Sequence, residues 1–154
     1  MAIGKSISMI DSRDRVTGAI QYTAKLKLPG MLIGKVFRSP VPYAIITKLD
    51  VSEAEKVAGV VAIVTAADFE GDDTPNLKFG SSFQDQPIVA GKTIRYLGEP
   101  VALIAAESMA IAEKAMDLIN LEYEELTPVF DAEEAMKPGA PTLHEDYPDN
   151  CLVH

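Results

Sequence analysis

Few side chains in this sequence are suited to bond-making chemistry. There are two histidines, His144 and His154, and one cysteine, Cys151, all near the end of the chain. The histidines flank Pro148 at a separation that matches no metal-ligand spacing, so two surface histidines are favoured over a metal site. Cys151 could act as a nucleophile only with a base held beside it, and His154 three residues on carries no supporting pattern. No glycine-rich phosphate loop, dinucleotide fingerprint or nucleophile-elbow motif is present. Glu99, in Gly98-Glu99-Pro100 at the entry to an apolar run, is expected to satisfy backbone groups or an arginine there. Glu122, Glu124 and Glu125 read as the solvated side of a strand rather than as paired acids. Phe83 with Asp85-Gln86-Pro87 could line a pocket mouth or anchor a loop, and the residues alone favour the anchor.

The elements that would position these residues centre on 94–129. Pro100–Ala106 is a nearly continuous apolar run, as in a strand buried on both faces. Ser108 is placed to cap a helix whose apolar stripe is Ile111, Ala112, Ala115, Leu118 and Ile119, with Glu113, Lys114 and Asp117 opposite. Asn120 is a candidate left-handed stop. Leu121 to Glu124 then alternates as a half-buried strand. Strand, helix and strand in succession predict a right-handed crossover within one sheet.

Upstream, residues 1–15 read as a lead-in arm and Gln21 to Leu28 as a strand, followed by a turn at Pro29-Gly30. Met31–Phe37 and Tyr43–Leu49 are strands, predicted to pair as a hairpin across Ser39-Pro40-Val41-Pro42. Ser52 and Glu55 form a capping box for a short helix ended by Gly59. Val60–Val64 reads as a central strand, and Thr65 with Asp68 starts a helical turn. Residues 70–86 are a long irregular loop. Asp131 and Glu134 resemble another capped start, stopped by Pro138-Gly139. Residues 141–154 show no evident partner, and the chain ends as if cut from something longer. The fold class is α/β (α+β): a mixed β-sheet with short helices packed on it.

The 154 residues are 47% hydrophobic and carry a net charge of −9, which suits one soluble domain. Residues 1–60 hold nine Lys/Arg and five Asp/Glu, whereas the rest hold five and eighteen. This acidic remainder argues against nucleic acid or an anionic membrane as partner. A solvated acidic face is favoured over one that docks a basic partner. No run is long and apolar enough for a transmembrane helix, and MAIGKSISMI is not a secretory signal. A single cysteine fits a reducing, cytoplasmic setting.

An ordered series of motifs resembles a known family. It runs through Arg15-Val16-Thr17-Gly18, Tyr22-Thr23-Ala24, Leu28-Pro29-Gly30-Met31-Leu32 and Arg38-Ser39-Pro40. It continues with Gly59-Val60-Val61, Thr65-Ala66-Ala67-Asp68, Ile94-Arg95-Tyr96-Leu97-Gly98-Glu99-Pro100-Val101-Ala102 and Glu122-Tyr123-Glu124-Glu125-Leu126 with Pro128-Val129. Pro138-Gly139-Ala140-Pro141 with Leu143-His144 completes it. Together these resemble the molybdenum-binding subunit of the xanthine dehydrogenase and aldehyde oxidase family, over about residues 12 to 150. Where the family commonly has His-Ala-His this chain has Val41-Pro42-Tyr43, and where an Asp is usual it has Lys25. Neither position does chemistry, so the departures bear on subfamily rather than fold.

The resemblance implies the N-terminal a/b hammerhead domain of a molybdenum hydroxylase. Its implied organisation is a lead-in arm at 1–14, the hammerhead at 15–136, and a tail at 137–154 leading to cofactor-binding domains absent from this sequence. It implies no catalytic, cofactor-binding or metal-binding residue in the chain itself. In the assembled enzyme it implies a molybdopterin cofactor, iron–sulfur clusters and usually FAD. The implied partners are the cofactor-binding domains, the iron–sulfur and FAD subunits, and a small substrate of the purine or aldehyde class. Ser82, Phe83 and Gln84, just before Asp85, are implied to help line the substrate channel. The chain's implied part is scaffold, subunit contact and channel wall, inactive on its own. A free-standing interaction or assembly module is the alternative.

Overall fold

In the structure, a computed structural model, residues 3–69, 78–81 and 84–152 are described. They fall into two compact units, residues 1–31 and 32–154. The first is built from local hydrogen bonds. Helix α1 (Ser12–Thr17) buries no side chain and ends at Gly18, whose φ of 73° lets its N–H reach back to the Arg15 carbonyl. Arg15 Nε pairs with Asp11 at 2.7 Å, one turn apart. The strand expected over Gln21–Leu28 is absent, and Thr23–Lys25 is a 3-10 turn. Tyr22, Leu26 and Leu28 are all exposed, so no sheet surface exists to reward their alternation. The turn at Pro29-Gly30 forms as expected, with Gly30 at φ 72°.

The second unit opens with β1 (Ile33–Arg38) and β2 (Ala44–Asp50), followed by α2 (Ser52–Glu55) and β3 (Val60–Val64). After a 3-10 turn at Ala66–Phe69 come three short strands, β4 (Lys78–Phe79), β5 (Gln86–Pro87) and β6 (Thr93–Ile94). The long strand β7 (Pro100–Ala106), α3 (Met109–Met116), β8 (Asn120–Glu125) and α4 (Ala132–Ala135) complete the order. Among the described residues three sheets result, β1-β7-β3, β6-β2-β8 and β4-β5, and every pairing there is antiparallel.

This arrangement corrects three expectations. β1 and β2 are consecutive but do not pair, because each belongs to a different sheet. The linker Ser39-Pro40-Val41-Pro42 has two prolines without N–H donors and cannot carry a ladder onward. The buried Ser39 hydroxyl closes this corner, donating to the Val41 carbonyl at 2.7 Å and accepting from its N–H at 3.1 Å. Likewise β7 and β8 lie in different sheets, so α3 bridges two sheets and there is no crossover within one. β3 is an edge strand, and β7 holds the centre. Val61 is accordingly 58% exposed, where a central strand would cover it.

β7 is central because both of its faces are covered. Ala102, Ile104 and Ala106 pack with Ala112, Ala115 and Ile119 of the α3 region. Val101, on the other face, packs with Val41, Ala44, Ala90 and Ile94. Phe37 and Leu49 touch both clusters. Small alanines on strand and helix let the backbones approach closely.

Helix ends follow local chemistry. The Ser108 hydroxyl accepts from the Ile111 N–H at 3.3 Å, the expected cap of α3. That helix stops at Met116 with Asp117 in right-handed geometry. Asn120 is therefore not a left-handed stop and instead opens β8 opposite Asp50. Leu118, expected on the apolar stripe, is exposed because the helix has already ended. For α2 the cap is Asp50 rather than the Ser52/Glu55 box. Its carboxylate accepts from the Ser52 N–H at 3.1 Å and hydroxyl at 2.7 Å. Asp131 caps α4 as expected, accepting from Glu133 and Glu134 N–H groups, both at 2.9 Å.

Candidate functional site

The site grows from the turn between β6 and β7. Gly98 sits at φ 84°, a conformation only glycine adopts freely. Its N–H donates to the Ser39 carbonyl at 3.0 Å, and the Ser39 N–H donates to the Glu99 carbonyl at 2.9 Å. Arg38 Nη1 donates to the Gly98 carbonyl at 2.9 Å. The turn folds the Glu99 side chain inward, where it is 1% exposed and accepts from the Arg95 N–H at 2.5 Å. Satisfying a backbone group is the role expected for Glu99. Burial pushes its carboxyl above the ordinary carboxylate range, against the opposing pull of the Arg95 N–H and guanidinium.

Arg95 extends from this turn to a distant part of the chain. Its Nε donates to the Leu143 carbonyl at 2.9 Å and its Nη1 to Thr93 at 3.3 Å. Tyr43 reaches the same stretch, its hydroxyl donating to the Thr142 carbonyl at 2.9 Å. Asn150 bonds to Ala135, Pro141 and Leu143 backbone groups. Residues 141–150 thus do have partners within the chain, contrary to expectation. Their partners come from the residue just before β2, the turn before β7 and the end of α4, which sequence-local patterns cannot reveal.

Between the turn and this stretch lies a cavity of about 290 Å³ bordered by Asp85, Gln86, Arg95, Tyr96, Glu99 and His144. The Gln86 carboxamide donates to the Tyr96 hydroxyl at 3.1 Å. His144 is half-buried here rather than an ordinary surface histidine. Burial, with Arg95 beside it, pushes its imidazole below the usual value, while Asp85 and Asp146 pull the other way. The cleft therefore combines a carboxyl that burial pushes up, an imidazole that burial pushes down, and a guanidinium. The described residues on its border offer hydrogen-bond donors and acceptors that can hold and orient a polar group.

Of the residues implied to line a channel, Ser82 and Phe83 lie outside the described residues, as does His154. Gln84 is exposed, one residue before Asp85 at the cleft. Glu122, Glu124 and Glu125 are exposed on β8, with Glu122 3.9 Å from Lys48, as a solvated strand face. Cys151 is half-buried, and its backbone N–H donates to Asp149 at 3.2 Å. Among the described residues no group of three or more His, Cys, Asp or Glu is placed to hold a metal, and no helix is long and apolar enough to cross a membrane. Reading from sequence missed the meeting of Asp85, Arg95 and His144. Its traces are partial: Arg95 and His144 lie in the ordered motifs, and Asp85-Gln86-Pro87 reads as a possible pocket mouth.

The family model described as "Aldehyde oxidase and xanthine dehydrogenase, a/b hammerhead domain" matches residues 17–127. A probable xanthine dehydrogenase subunit of Bacillus subtilis is 43% identical over 136 residues, which is 88% of this chain and 18% of that protein. "Nicotinate dehydrogenase large molybdopterin subunit" of Eubacterium barkeri is 34% identical over 94% of this chain and 33% of its own length. Among solved structures, quinoline 2-oxidoreductase from Pseudomonas putida superposes with a TM-score of 0.80 at 34% identity. It is matched over 95% of this chain and 19% of its own. The chain thus spans a third or less of the relatives it matches.

Proposed function

The chain belongs to the aldehyde oxidase and xanthine dehydrogenase family as its a/b hammerhead domain, and from this we propose that it serves as part of the large subunit of a molybdenum hydroxylase. The observation that carries the reading is the match, along nearly the whole chain, to proteins named as large subunits. The proposed reaction is oxidative hydroxylation of a carbon beside nitrogen or oxygen in a purine-class or aldehyde-class substrate. When bound elsewhere in the enzyme, the molybdopterin group supplies that oxidation, with electrons leaving through iron–sulfur clusters, usually to FAD. Among the described residues no group of three or more His, Cys, Asp or Glu is placed to hold a metal ion, and in our reading the molybdopterin group is held by other parts of the enzyme. This chain's own part is to hold and orient.

That part, in our reading, has three components. The antiparallel sheets around β7 are scaffold. Surfaces of the domain contact the remaining domains and the iron–sulfur and FAD subunits, in a cytoplasmic setting. Ser82, Phe83 and Gln84 form part of the wall of the substrate entrance. The position of Gln84 beside a cleft with hydrogen-bonding groups supports the third component. Substitution Phe83→Ala in the complete enzyme tests it. The expected result is an altered order of substrate preference with a raised KM for the preferred substrate. Unchanged preference and KM would remove Phe83 from the wall.

A further inference from the structure

We propose that Tyr96 is a positioning residue that sets substrate specificity, because its hydroxyl holds Gln86 and thereby the segment leading to Gln84. The proposal rests on the reading of residues 82–84 as entrance wall, and it assigns what tethers the chain next to Gln84, the one described residue of that wall.

Two pieces of very different rigidity meet at this hydrogen bond. Tyr96 belongs to a turn tied at almost every residue. The buried Glu99 carboxylate takes the Arg95 N–H, and the Glu99 N–H returns to the Tyr96 carbonyl at 3.2 Å. Gly98 is held from both sides, by Ser39 and Arg38. Among the described residues the β4–β5 pair has no comparable support. It consists of two residue pairs, Lys78 with Pro87 and Phe79 with Gln86, and Pro87 has no N–H to offer. Lys78, Phe79 and Gln86 are all exposed. A two-stranded ribbon of this length does not hold itself together in water. An ion pair from Lys78 to Asp146, at 4.0 Å and with both side chains exposed, adds little.

Downstream the chain is secure. Val89 and Ala90 are buried, and the Ala90 N–H donates to the Pro100 carbonyl at 2.7 Å. Upstream of them, among the described residues, the side-chain tether nearest Gln84 is the 3.1 Å bond from Gln86 Nε2 to Tyr96. Gln86 stands two residues from Gln84, so loss of the bond is felt at the wall before anywhere else. One neutral hydrogen bond at a partly exposed site corresponds to about a threefold to tenfold effect.

The test uses the complete purified enzyme with Tyr96→Phe, Gln86→Leu and the conservative Gln86→Glu, whose carboxylate can keep the bond in the reverse sense by accepting the phenol proton. Hydrogen exchange over residues 84–88 and KM for hypoxanthine, nicotinate, quinoline and benzaldehyde are measured. Tyr96→Phe and Gln86→Leu should each speed exchange over 84–88. They should also shift the ratio of KM values between substrates about threefold to tenfold, with kcat moving less. The double variant should do no more than either single one, and Gln86→Glu should stay near the unmodified enzyme. Unchanged exchange over 84–88, or unchanged KM ratios with faster exchange, would overturn the proposal. If Phe83→Ala shifts preference while Tyr96→Phe does not, the wall reading stands and this inference alone fails. If neither has an effect, both fail.

Discussion

Glu99 and His144 share one cleft and respond to pH with opposite signs. The folded Glu99 carboxyl binds its proton more tightly than an unfolded one, whose ordinary value is 4.5. Its contribution to stability is therefore fully present below pH 4.5 and declines as pH climbs through that value towards the raised folded one. Glu99→Gln cannot titrate, so the variant should lose this decline in a series of urea midpoints against pH. The folded His144 imidazole holds its proton less tightly than an unfolded one, whose ordinary value is 6.5. Stability from this group is fully present above pH 6.5 and is lost as pH falls from there through the lowered folded value. His144→Gln should flatten that acid-side slope and leave the Glu99 slope in place. If both variants keep the slopes of the unmodified protein, the two side chains do not lie where the structure puts them.

Elements in this chain depend on a few local devices whose cost can be estimated. Gly59 sits at φ 93°, and a Cβ there would lie 2.6 Å from Ile111 Cδ1. Gly59→Ala should therefore destabilise by about 1–3 kcal/mol, from strain and crowding against α3. Gly34→Ala, with open space and ordinary backbone, should stay within about 0.5 kcal/mol of the unmodified protein. Asp131→Ala should cost about 1 kcal/mol by leaving the first N–H groups of α4 without an acceptor. Thermal unfolding of the three variants measures the ranking. The same distinction between local and distant causes explains what could be read from sequence. The limits of β7, the Ser108 and Asp131 caps and the Pro29-Gly30 turn were legible because each depends on neighbours within a few residues. The partners of β1 and β2 were not, since Ser39–Pro42 turns the chain without stating which sheet receives it. Nor was the Asp50 cap of α2, where an equally good local candidate, Ser52, was available. In the cleft, Glu99 was legible from Gly98-Glu99-Pro100. His144 was not, because it meets Arg95 only through tertiary structure.

For the molecule as a whole, the acidic balance and the split core give complementary information. Residues 61–154 carry eighteen Asp/Glu against five Lys/Arg, which disfavours a polyanionic partner. The core is divided over the two faces of β7, and a polar cleft lies at the start of that strand. Its chemistry, in our account, belongs to the enzyme of which it is a part. The most direct test is to tag the natural gene product in its own organism, purify it under native conditions, and measure molybdenum and iron per copy. The account predicts stoichiometric molybdenum, with iron present and oxidoreductase subunits in the same complex. A metal-free protein purified intact, with no oxidoreductase partner, would contradict it and favour an independent interaction module.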